Sequence, residues 1–129
     1  MKRPNLWQSF GHAWNGLVFT VRTQRNARIH LVAGCVIALL AMWLQLDAVK
    51  CAILALTICA VIVGEVLNTA LEALVDLLSP DYHDAAKVAK DVSAGAVLVL
   101  GLTSVVIGLL ILGPPLWARL SATPLLPAP

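Results

Sequence analysis

The chain is poor in charge. Only 12% of its 129 residues are charged, against 60% that are hydrophobic. A soluble domain of this size needs far more polar surface to cover itself, and a mean hydropathy of +0.87 marks an integral membrane protein. The net charge of +2 is too slight to point to nucleic acid. No G-x-x-x-x-G-K-[ST] loop, G-x-G-x-x-G fingerprint or H-E-x-x-H pair occurs, and the soluble nucleotide folds do not fit in a few apolar helices. The three cysteines, Cys35, Cys51 and Cys59, lack ligand spacing and read as small apolar packing residues. Val32-Ala33-Gly34-Cys35 looks like a lipoprotein cleavage box, but it stands at the start of an apolar stretch, whereas cleavage follows one. No repeat links the apolar segments, so an inverted-repeat transporter has no support.

What is present is three apolar spans. The first runs from about Ile29 to Leu46, the second carries helical periodicity from Ala48 to Leu78, and the third occupies part of the charge-free run Val92 to Ala118. Each covers the roughly 20 residues a spanning helix requires. Cations set the orientation. Lys2, Arg3, Arg22, Arg25 and Arg28 precede the first span, and Lys87 and Lys90 lie between the second and third. The positive-inside bias puts the N-terminus and the second loop in the cytoplasm. Before the spans, Leu6, Trp7, Phe10, Trp14, Leu17, Val18 and Val21 share one helical face, which predicts an amphipathic helix at the membrane interface. Residues 1–28 are thus expected to form a cytoplasmic segment and residues 29–113 a three-helix transmembrane unit. Residues 114–129, with five prolines, read as a flexible tail.

The second span breaks the apolar rule in a pattern. At about 100° per residue, Glu65, Asn68, Glu72 and Asp76 fall within roughly 80° of one another. A carboxylate in a bilayer costs on the order of 3 kcal/mol on the lenient insertion scale, so such a stripe needs a reason. The span is also long. Its rise of roughly 46 Å against a hydrocarbon core of about 30 Å carries the stripe from lipid depth towards the cytosol. Three readings stand at this point: an interhelical hydrogen-bond seam, a proton or cation path, and an active site at the oil–water boundary.

The motif itself narrows them. Glu65-Val66-Leu67-Asn68-Thr69-Ala70-Leu71-Glu72-Ala73-Leu74-Val75-Asp76 resembles the E-x-x-N-[ST]-A-[IL]-E-x-x-V-D signature of the prokaryotic diacylglycerol kinase family, which includes undecaprenol kinases. Tyr82-His83 and Ala89-Lys90-Asp91 follow at that family's spacing, and Trp14-x-Gly16-Leu17 and Arg25-Asn26-Ala27-Arg28-Ile29-His30 match its N-terminal region. The resemblance covers about Ser9 to Gly113.

It implies a small homotrimeric kinase of the bacterial cytoplasmic (inner) membrane, with active sites shared between neighbouring copies. Such an enzyme moves the γ-phosphoryl of ATP to a lipid alcohol, diacylglycerol or undecaprenol, in phospholipid or lipid-carrier metabolism. By the same resemblance Glu65 is the catalytic base and Asn68 orders the site. Glu72 holds Mg²⁺ on the ATP phosphates, Lys90 contacts phosphate, and Tyr82, His83 and Asp91 line the nucleotide. The family's second metal carboxylate falls on Gln24, whose amide oxygen brings no full charge, so weaker metal affinity is expected. Ala13 and Ala94 stand where some diacylglycerol-specific members resemble one another in having serine, which, with Arg28-Ile29-His30 and Ala94-Gly95-Ala96-Val97, leans towards the undecaprenol branch. The rival reading is a non-catalytic membrane subunit or ion-coupled protein that uses the stripe for assembly or conduction.

Overall fold

A computed structural model describes residues 5–81 and 83–122, and all of its regular structure is α-helical. α1 spans Leu6–Thr23, α2 Arg25–Trp43, α3 Ala48–Leu78 and α4 Asp84–Ser121. The last three are each long and apolar enough to cross a membrane.

Local chemistry sets the boundaries. α1 opens with a capping box: Asn5 Oδ1 accepts the Gln8 backbone N–H at 2.8 Å, and Gln8 Oε1 accepts that of Asn5 at 3.0 Å. α1 and α2 are separated by one extended residue, Gln24, at φ −97° and ψ 120°. Its N–H still donates to Thr20 O at 2.8 Å, but its side chain makes no cap bond to α2. α2 therefore begins at Arg25, ahead of the expected Ile29.

α2 stops at Trp43, short of the expected Leu46, because the chain turns left-handed at Gln45 (φ 53°). Leu46 N–H donates to Ala41 O at 3.2 Å and Gln45 N–H to Met42 O at 3.1 Å, the two bonds of a Schellman closure. Leu46 then packs on the cluster formed by Ala41, Leu54 and Leu112. α3 has the expected bounds. Asp47 caps it by accepting Lys50 N–H at 3.0 Å, and hydrogen bonding to Lys50 holds the Asp47 carboxyl below the usual carboxylate range.

α4 extends past the expected third span at both ends. It starts at Asp84, where His83 Nδ1 accepts the Ala85 N–H at 3.2 Å, and continues through Pro114 and Pro115 to Ser121. The stretch after Gly113, expected as a flexible tail, is helical as far as Ser121. Each proline removes one intrahelical donor. Packing holds the segment: Leu112 is buried in the cluster with Ala41 and Leu54, and Arg119 reaches α2, donating to Trp43 O at 2.9 Å with its guanidinium 4.6 Å from the Trp43 ring centroid.

α3 is the axis on which the other helices lean; α2 and α4 both pack on it and only weakly on each other. Small residues allow the approach. A Cβ on Gly34 would lie 2.9 Å from Ile58 Cγ2, and one on Gly64 would lie 2.5 Å from Leu100 Cδ1. Cys51 packs beside the Ala41 cluster, but Cys35 and Cys59 are exposed on outward helix faces instead of serving as packing residues within the chain.

Candidate functional site

α2 and α4 pack on α3 more than on each other, and a cleft of about 780 Å³ lies between the three helices. Gln24, His30, Glu65, Asn68 and Glu72 supply polar lining towards the α1–α2 corner, and Leu98, Leu102, Val105 and Leu109 of α4 continue it as an apolar trough. Glu65, Asn68 and Glu72 share one wall for a simple reason: offsets of three and seven return to the same helix face.

Glu65 is the largest fully buried side chain among the described residues, with 2% of its surface exposed. Its Oε1 has no hydrogen-bond partner and stands 3.4 Å from His30 Nε2. A buried, unpaired carboxylate oxygen is costly and is not retained for packing alone. Glu65 also touches a second cavity of about 410 Å³, walled by apolar side chains of α1, α2 and α3, among them Trp14, Leu17, Leu31 and Ile62.

Glu72 is the opposite case, since both its oxygens are engaged. Oε1 accepts from Asn68 Nδ2 at 2.9 Å and Oε2 from Gln24 Nε2 at 2.8 Å. Gln24 reaches it because the helix break leaves its side chain free of α2. Asn68 is fixed from behind, with Ser93 Oγ of α4 donating to its Oδ1 at 2.5 Å. A hydrogen-bonded chain thus runs Ser93–Asn68–Glu72–Gln24 from α4 across α3 to the α1–α2 corner.

The remaining candidates lie outside the cleft lining. Lys90 forms an ion pair with Asp76, one turn beyond Glu72 on α3. On α4, Lys90 is one turn before Ala94, a lining residue, so it stands at the rim. Asp91 pairs with Lys87 at 2.9 Å on the exposed side, and His83 caps α4. Tyr82 lies outside the described residues. Two participants were not singled out by sequence reasoning. His30 appears there only within a motif, and Ser93 not at all, because both contacts depend on how helices cross and not on spacing within one helix.

Glu72 and Gln24 bring hard oxygen atoms to one end of an open cleft, the donor type a divalent cation takes when phosphates and water complete its shell. Gln24 turns its Nε2 to Glu72, however, so its amide has to flip before its oxygen could share an ion with that carboxylate. Among the described residues no cluster of three or more His, Cys, Asp or Glu could form an all-protein metal cage.

Fold and cleft together define an all-helical protein with three helices long and apolar enough to cross a membrane and an acidic centre in the open cleft between them. The chain belongs to the prokaryotic diacylglycerol kinase family, whose model matches residues 11–112. It is 48% identical over 114 residues to a diacylglycerol kinase of Synechocystis sp., covering 88% of this chain and 65% of that protein, so it spans just under two thirds of that relative's length. It is 41% identical over 110 residues to an undecaprenol kinase of Bacillus subtilis, covering 85% of this chain and 89% of that one. A diacylglycerol kinase of Escherichia coli is 32% identical over 96 residues, 74% of this chain and 79% of its own length.

Proposed function

We propose that this protein is an ATP-dependent lipid kinase that transfers the γ-phosphoryl of ATP to the hydroxyl of a membrane lipid alcohol, diacylglycerol or undecaprenol. The observation that carries the reading is the pairing of opposites around buried Glu65: a cleft holding the amide-braced Glu72 on one side, and an apolar cavity of about 410 Å³ on the other. A lipid hydroxyl needs apolar wall for its chain, and a triphosphate needs an opening to water.

Glu65 takes the hydroxyl proton as the lipid oxygen bonds to the γ-phosphorus and the bond to the β-phosphate oxygen breaks, releasing ADP. Its burial excludes water that would compete as acceptor. The apolar cavity on its α1 side is a suitable berth for an acyl or prenyl chain, with the hydroxyl brought to the carboxylate. Glu72 and Gln24 would hold Mg²⁺, which supplies charge neutralisation on the phosphates when bound. Asn68 keeps Glu72 aimed. Lys90, leaving Asp76, is within one turn of the cleft to meet phosphate, and Tyr82, His83 and Asp91 are assigned to the nucleotide.

The same reading places the N-terminus and the α3–α4 connection on the cytoplasmic side of a bacterial inner membrane, where the cations concentrate. α1 lies along the interface: Leu6, Trp7, Phe10 and Trp14 are exposed on a helix preceded by a polar cap. A homotrimer completes the arrangement. Names among the relatives include both lipid classes, so acceptor choice is put to experiment.

The test uses purified protein in detergent with Mg-ATP, diacylglycerol and undecaprenol in parallel arms. Turnover of one of them is expected, and Glu65→Gln should reduce it by about 10²- to 10⁴-fold, the usual share of a general base. A wild-type protein that phosphorylates no lipid alcohol would return the polar stripe to assembly or conduction.

A further inference from the structure

Glu65 does not stand alone in the cleft. Its unpartnered Oε1 faces one neighbouring ring nitrogen, His30 Nε2 at 3.4 Å, presented from the next helix. That distance is just long for a hydrogen bond, and such contacts at reaction centres often tighten only when substrate is bound. The ring has room to tighten. His30 keeps 27% of its side chain exposed, and it lines both the main cleft and a separate cavity of about 40 Å³ beside Ser104 and Thr57. Across from it stands Gly101 of α4, where a Cβ would lie in ordinary van der Waals contact with His30 Cε1, at 3.8 Å.

We infer that His30 is the positioning residue for Glu65: its Nε2–H donates to Oε1, fixes the carboxylate rotamer, and leaves Oε2 as the oxygen that meets the substrate hydroxyl. The inference rests on the kinase reading above and adds a part to it. A carboxylate with both oxygens loose samples several rotamers in a cavity, and misplacement of a base by an ångström is expensive in rate. A donor on one oxygen removes that freedom without neutralising the other. The arrangement has the logic of a base oriented by a third group.

The experiment separates donor from filler. His30→Leu keeps apolar bulk and loses the donor; His30→Gln keeps an N–H at similar reach. In the lipid kinase assay, His30→Leu should lower kcat by about 10- to 100-fold, the worth of a hydrogen bond to a charged group. KM for ATP should stay within about twofold, because an interaction made through the base is not part of nucleotide binding. His30→Gln should recover to within about threefold of wild type. Folding of each variant is followed by its thermal melt in detergent. If His30→Leu does not fold, His30→Met serves, since its unbranched apolar chain fills the site and also lacks the donor, and the same fall in kcat is expected.

A His30→Leu or His30→Met enzyme with wild-type kcat overturns the inference, as does a His30→Gln enzyme that falls as far as His30→Leu. Either result leaves the kinase reading standing, because wild type is active in the same assay. An inactive wild type sinks both.

Discussion

Gln24 illustrates how one residue serves two helices. As the sole extended residue between α1 and α2 it is in position to cap α2, yet its amide bonds to Glu72 on α3 instead. With Glu at this position the amide N–H would be replaced by a second carboxylate facing Glu72. Without a cation the two charges repel; with one they share it. Gln24→Glu should therefore lower the Mg²⁺ concentration for half-maximal rate by about tenfold, or about 1.4 kcal/mol of ion binding. It should also lower the melting temperature in chelator and restore it in Mg²⁺. Titrating initial rate against Mg²⁺ checks the first part, and an unchanged midpoint would remove Gln24 from the metal assignment. The stripe residues were legible because Glu65, Asn68 and Glu72 obey one helix's arithmetic. His30 and Ser93 were not, since their partners are on other helices and nothing in a linear spacing reports a crossing.

At the scale of elements, α3 could be read to its ends. Asp47 is a good capping residue, and apolar periodicity continues without interruption to Leu78. The close of α2 was harder, because the left-handed residue is Gln45 and not the glycine that ordinarily advertises such a turn. The end of α4 departs from expectation for the reverse reason. Pro114 and Pro115 are strong stop signals, but the helix passes through them because Leu112 and Arg119 are anchored on the α2–α3 end. The Gln45 turn carries its own prediction. A non-glycine residue held left-handed costs about 1 kcal/mol, and β-branching raises that cost. Gln45→Gly should be neutral to stabilising by about 0.5 kcal/mol, part of the relief being lost to greater freedom of the unfolded chain. Gln45→Val should destabilise by about 1 kcal/mol or more. Unfolding midpoints in mixed micelles give the order, and a valine variant as stable as the glycine one would show that the turn is not under strain.

For the whole molecule the open flank of the cleft is the main consideration. Leu98, Leu102, Val105 and Leu109 line it at alternating four- and three-residue steps, and each is at least 58% exposed. That spacing is the seam a helix offers to a partner helix, yet the other described helices leave it exposed. Left to lipid, the flank would let acyl chains reach Glu72 and Gln24, where polar groups lose by such contact. Closure by another copy of the chain agrees with the proposed trimer and would keep the cleft open only to the cytosol and to a chosen lipid. In mild detergent the protein should therefore run as a multiple of its 13.7 kDa chain, with a crosslinking ladder ending at three. Replacing Leu102 and Val105 together by Gln should dissolve the assembly and remove kinase activity in the same detergent titration, since the cleft proposed as the active site would lose its fourth wall. Dissociated single chains that retain full turnover would mean that the cleft works with its flank open, and that the leucine seam faces nothing but lipid.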